Sequence, residues 1–170
     1  PKILVFVPFQ PRGVACGFSS AAGACAGSRV GENYDVELLS TFRAHRDRNI
    51  LERLTFGVWL CAKAVWQILR SGAALADIHA VSDRGLLSHA AVMFGVRLAG
   101  RPALLRIHGG DFHLVFERAS RLQRALIRII LRAATRVVVL SETWRDRIKA
   151  IEPRTLVEVI PNSVNCLHFE

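Results

Sequence analysis

Cysteine is scarce and unpaired in pattern. Cys16, Cys25, Cys61 and Cys166 form no CxxC and no metal-ligand rhythm. Scattered thiols of this kind fit a reducing compartment, so the cytoplasm is the expected location. His45, His79, His89, His113 and His168 show no metal spacing either, and no metal is expected. Long apolar runs are missing as well. The most apolar stretch, Phe56 to Leu69, is interrupted by Lys63 and Gln67, so a transmembrane helix, which needs about 18 apolar residues, is not expected. There is no internal repeat and no low-complexity tail. The chain opens on Pro1 and its one methionine is Met93, so the natural start is missing or processed and an upstream targeting segment stays open. Acidic residues are few, 14 against 23 basic ones, which leaves a net charge of +9. Nucleic acid, anionic lipid headgroups and phosphorylated small molecules all answer that charge.

What is present is regular. A chain of 170 residues suits one domain that folds without staples. Short β-branched runs alternate with longer helical patterns, the signature of βαβ units around a parallel sheet. The expected strands are Ile3 to Val7, Val36 to Leu39, Asp77 to Val81, Ala103 to His108, Arg136 to Leu140 and Val157 to Ile160. The fold class expected is α/β, a doubly wound, mostly parallel Rossmann-like sheet with helices on both faces.

The helical patterns run over Asn49 to Arg70, Ser88 to Leu98, Glu117 to Ala134 and, capped by Ser141, Glu142 to Ile151. In the first, the polar positions Lys63, Gln67 and Arg70 leave most of the circumference apolar and bound for burial. Trp59 and Trp66, seven apart with Lys63 on their side, read as core. The third places Leu122, Leu126, Ile129, Ile130 and Ala133 on one side. One stretch fits poorly: Phe18 to Val30 should be the first crossover helix, yet it has few large apolar residues and two interior glycines, each costing about 1 kcal/mol against alanine. A thin helix close on the sheet is the preferred reading; a loosened segment and a locally shifted reading frame are the alternatives.

Four segments, in this order on alternating elements, carry a resemblance. Lys2-Ile3-Leu4-Val5-Phe6-Val7-Pro8-Phe9 with Pro11-Arg12-Gly13 is similar to the first strand and glycine loop of the group 1 (family 4) GT-B glycosyltransferases. Asp35 to Thr41 looks like the family's second strand. Arg106-Ile107-His108-Gly109-Gly110-Asp111-Phe112 resembles its HG-D-F turn, and Val139-Leu140-Ser141-Glu142 with Val159 to Asn165 resembles its closing pair. The resemblance implies that residues 1–170 are the N-terminal, acceptor-side domain of a retaining, metal-independent enzyme. Its co-substrate would be a nucleotide-sugar, its acceptor a polysaccharide or glycolipid, and its donor-binding domain lies outside this chain, which alone should not turn over.

Candidate site residues gather where ligands sit in open α/β sheets, beyond the carboxyl ends of the strands. Gly13 and Gly17 follow the first strand, where backbone N–H groups approach a phosphate, or simply make a turn. His108 ends the fourth strand, beside Gly109 and Gly110; by the resemblance it would hydrogen-bond a hydroxyl of the donor sugar and support charge developing at the anomeric carbon. Asp111 reads first as a helix N-cap, and nothing in its spacing from Asp83 makes a glycosidase-like pair. Ser141 and Glu142 at the next strand end, and Asn162 near the last, are explained by cap and turn chemistry and carry a lesser functional weight. His79 and His89 read as packing or surface residues.

Arg118, Arg121, Arg124, Arg128 and Arg132 recur at three- and four-residue steps and make a cationic ridge, expected to face an anionic membrane on the cytoplasmic side. A solvated helix face is the plainer alternative. Two other functions stay open: a non-catalytic acceptor-binding and membrane-anchoring subunit of a split glycosyltransferase, and a basic nucleic-acid-binding module. The last is weak, because no nucleic-acid motif appears and aromatics are not interleaved with the arginines.

Overall fold

Six apolar runs pair side by side in the computed structural model, which describes residues 1–8, 32–41, 49–80, 86–108 and 112–161. The strands are β1 (Lys2–Val7), β2 (Asp35–Ser40), β3 (Leu75–Ala80), β4 (Ala103–Ile107), β5 (Arg136–Val139) and β6 (Val157–Val159). Every pairing is parallel, in the order β2-β1-β3-β4-β5-β6. Five helices fill the connections among the described residues: α1 (Ile50–Ser71), α2 (Leu86–Leu98), α3 (Phe112–Arg118), α4 (Arg121–Ala133) and α5 (Glu142–Ile151). The sheet is open and Rossmann-like, as the alternation of elements implies. The stretch 18–30, expected to be a loose crossover helix, lies outside the described residues.

Side chains alternate between the two faces of a strand, so register decides what meets what. Phe6 pairs with Ile78, and Ile78 with Leu105, which puts all three on one face. That face makes the main core with Leu60, Ala64 and Ile68 of α1, Met93 of α2, Ile130 of α4 and Ile148 of α5. The other face buries Val5 and Val7. By the same register it also carries Asp77 and His79 of β3 and Arg106 of β4.

Helices α1 and α2 touch closely because Gly95 has no side chain. A Cβ there would stand 2.6 Å from the Cys61 carbonyl oxygen and 2.9 Å from the Ala64 Cβ. α1 ends at Gly72, whose φ of 63° closes the last turn with a bond from its N–H to the Ile68 carbonyl.

The structure corrects two helix assignments. α1 is not mostly buried: only Leu60, Ala64 and Ile68 go under, while Trp59 and Trp66 are 53% and 52% exposed. The reason is position. α1 connects β2, at one border of the sheet, to β3 and packs chiefly against α2, so one stripe is covered. The single helix expected over Glu117 to Ala134 is two, α3 and α4, parted at Ala119 and Ser120. Ser120 and Gln123 form a reciprocal capping box that starts the second. The buried stripe of α4 is Ile127, Ile130 and Leu131; Leu122 is 81% exposed and Ile129 is exposed too.

Candidate functional site

The chain leaves β1 for β2 on one side and returns to β3 on the other, so the strand order reverses beside β1. Crevices that hold ligands open at such switch points, at the carboxyl ends of the strands. β3 and β4 bring four ionisable residues to this end, alternating with apolar ones: Asp77 and His79 on β3, Arg106 on β4 and His108 just after it. The backbone N–H of His108 donates to the Ala80 carbonyl, which continues the β3–β4 ladder past the last strand residue.

The four side chains form one connected group. Arg106 grips Asp77 Oδ2 through Nη2 at 3.0 Å and Nε at 3.3 Å. His79 Nε2 stands 3.5 Å from the same oxygen, and His79 Nδ1 lies 3.0 Å from His108 Nε2. Asp77 and His79 are buried, whereas His108 is half-buried. Asp77 Oδ1 is buried and has no hydrogen-bond partner among the described residues. Burial pushes the Asp77 carboxyl up, but the His79 hydrogen bond and the Arg106 charge outweigh it and hold the group below its ordinary value. Burial, aided by the charges of His79 and Arg106 and opposed by Asp77, pushes the His108 imidazole down to about 4.

These contacts set the direction of the protons. An ionised carboxylate can only accept, so the His79 tautomer that serves both contacts carries its N–H at Nε2 toward Asp77 and leaves Nδ1 as an acceptor. His108 then donates from Nε2, and Nδ1 becomes the acceptor nitrogen of its neutral ring. The chain Asp77–His79–His108 thus orients an imidazole at the sheet's carboxyl edge, and burial keeps that imidazole uncharged near neutral pH.

Ser141 and Glu142 lie at the carboxyl end of β5, the strand next to β4. Ser141 occupies the N-cap position, but it is the carbonyl rather than the side chain that accepts, from the N–H groups of Trp144 and Arg145. Glu142 pairs with Arg145 at 2.6 Å on the surface. Gly13, Gly17, Gly109, Gly110, Asp111 and Asn162 lie outside the described residues. The arginine ridge divides between two helices, Arg118 ending α3 and the others lying on α4. Much of it is engaged internally. Arg124 donates to the carbonyls of Phe116 and Glu117, Arg128 to that of Ile151, and Arg132 pairs with the buried Glu152 at 2.7 Å. Among the described residues no cluster of three or more His, Cys, Asp or Glu stands ready for a metal ion.

His79 and His89 are both buried, as packing residues would be. His89 lines a small apolar cavity with Ala80, Leu105, Phe112 and Ile127, and burial lowers its imidazole to about 4. His79 does more, and sequence reasoning misses Asp77 and Arg106 as site residues. A signal for them exists: two ionisable residues two apart on β3 and two more two apart at β4, each pair on one face of an otherwise apolar strand.

An open, all-parallel six-stranded sheet with helices in its connections defines a Rossmann-like domain, and the histidine held at its carboxyl edge is its candidate site. The model of the glycosyl transferase 4-like domain matches residues 17–163. The chain belongs to that family, and it is a glycosyltransferase-type domain. A comparison with curated proteins finds no match.

Proposed function

We propose that this domain is the acceptor-side half of a retaining, metal-independent glycosyltransferase that moves a sugar from a nucleotide-sugar to a polysaccharide or lipid-linked acceptor. In this reading a second, donor-binding domain or chain completes the cleft, and the described domain alone does not turn over. The observation that supports it most directly is the family match together with His108 at the carboxyl edge, held by Asp77 and His79. His108 accepts a hydrogen bond from a hydroxyl of the donor sugar through Nδ1, because Nε2–H is committed to His79. A neutral ring suits this role, since it offers a lone pair beside an anomeric carbon that gains positive charge as the nucleotide leaves.

The test is a transfer assay on the intact enzyme, with its donor-binding part, over a panel of nucleotide-sugars in the presence of EDTA. The product anomer is read by NMR. Turnover in EDTA with retained configuration is expected, and His108→Ala should lower kcat about 100-fold. An inverted product, loss of activity on chelation, or a His108→Ala variant as fast as the wild type would each overturn the corresponding part.

A further inference from the structure

Hydrogen bonds along Asp77–His79–His108 run in one direction only while Asp77 accepts, and Asp77 is a poor place for a bare negative charge. Its side chain is 8% exposed, and Oδ1 is buried with no hydrogen-bond partner among the described residues. Arg106 does not grip it as a fork with one nitrogen to each oxygen. Nε and Nη2 both converge on Oδ2, at 3.3 and 3.0 Å, and that oxygen stands 3.5 Å from His79 Nε2. Apolar side chains border the group on the same face, Val5 and Val7 of β1 and Val138 of β5. The other charges that the strands bring to this face, Arg136 and Glu158, answer each other at 3.6 Å. Among the described residues Arg106 is therefore the one fixed positive charge beside Asp77.

We propose that Arg106 is a positioning residue for His108: its charge keeps Asp77 ionised, and so keeps a proton off Nδ1 of His108. Counting protons shows why. With Arg106 positive, Asp77 negative and one proton on each imidazole, the group is neutral. A neutral residue in place of Arg106 leaves a buried net negative charge, which uptake of one proton from solvent relieves. That proton has three places to sit. On Asp77 it is donated to His79 Nε2, and His79 then donates from Nδ1 to His108 Nε2. On His79 both nitrogens donate, with the same result for His108. On His108 both nitrogens carry hydrogen. In every case Nδ1 of His108 turns from acceptor to donor. Beyond burial and the charge of His79, Arg106 disfavours protonation of His108 and Asp77 favours it, as this account requires.

The kinetic consequence rests on the transferase reading; the tautomers do not. A donor at Nδ1 still bonds to the oxygen of a sugar hydroxyl, so binding persists, but the lone pair beside the anomeric carbon is lost. The full chain is labelled with nitrogen-enriched histidine, and long-range proton–nitrogen NMR spectra near neutral pH locate the hydrogens on His79 and His108, with His79→Ala and His108→Ala to assign the rings. Wild type should show Nδ1 of His108 unprotonated, and so should Arg106→Lys, which keeps the charge. Arg106→Gln, which keeps a donor but no charge, should show it protonated; Arg106→Met is read instead if circular dichroism finds the glutamine variant unfolded. In the intact enzyme Arg106→Gln should lower kcat about tenfold with KM changed less than about twofold, and Arg106→Lys should recover most of the rate. Nδ1 of His108 protonated in wild type, or unprotonated in a folded neutral variant, overturns the proposal whatever the kinetics. A reversed tautomer with kcat unchanged upholds the role of Arg106 and overturns instead the sugar-hydroxyl role given to His108.

Discussion

Two imidazoles 3.0 Å apart share one hydrogen bond, so the protonation of either dictates the tautomer of the other. Asp77 breaks the symmetry by accepting from His79, and the acceptor nitrogen of His108 is thereby chosen two residues away from any substrate. His79→Ala removes the partner of His108 Nε2–H without touching a reacting atom. The expected outcome in the intact enzyme is a kcat lowered about tenfold with KM little changed, read from steady-state kinetics. A KM effect of the same size would place His79 in binding instead. Asp77→Asn leaves Arg106 without its counter-charge in a buried setting, and a urea titration should show a loss of about 3 kcal/mol. The His108 position itself is plain from its flanking glycines. Its support is not, because a buried Asp or His in a strand reads as an isolated exception until the neighbouring strand is laid beside it.

Helix α1 shows how an element's propensity and its surroundings come apart. Its apolar residues at nearly every turn predict burial all round, and that is sound for a helix enclosed in a layer. α1 has α2 on one side and packs its inward stripe only. Where the two helices touch, Gly95→Ala must push α1 away from α2, because the new methyl would meet the Cys61 carbonyl and Ala64. A loss of about 1–3 kcal/mol is expected in chemical denaturation, against almost none for an alanine at Gly57, whose Cβ would meet only Ala91 at 3.9 Å. The break between α3 and α4 is written in Ser120-x-x-Gln123, a start signal placed inside a run that otherwise reads as continuous helix. Ser120→Ala should cost about 1 kcal/mol, measured as a lowered denaturation midpoint. Once the break is set, α4 begins later than the continuous pattern implies and its buried stripe moves to Ile127, Ile130 and Leu131.

For the whole molecule, a neutral histidine in the core makes stability depend on pH. The His89 ring has an ordinary value of 6.5, and burial takes it to about 4 in the folded chain. The unfolded chain therefore binds the proton first as pH falls. Stability is complete above 6.5 and drains between there and about 4, with His108 adding in the same sense and window. Asp77, held below its ordinary 3.8, acts only at lower pH. From His89 alone the linkage amounts to about 2 kcal/mol between roughly pH 7.5 and 5. Urea titrations at the two pH values should show it, and His89→Leu should remove that share. A wild type equally stable at both would mean that the ring takes up its proton without cost.

The sequence by itself determined the succession of the six strands and of the helices between them, apart from the break between α3 and α4 and the stretch 18–30, because an apolar run of five residues and a three-to-four-residue period are local signals that parallel pairing leaves intact. It also pointed to the family and set His108 at the end of the fourth strand. Which side of each helix is covered, and which strand lies beside which, were decided only in the tertiary structure. Burial and hydrogen bonding between Asp77, His79, Arg106 and His108 join residues 29 positions apart, and no local period carries information over that distance.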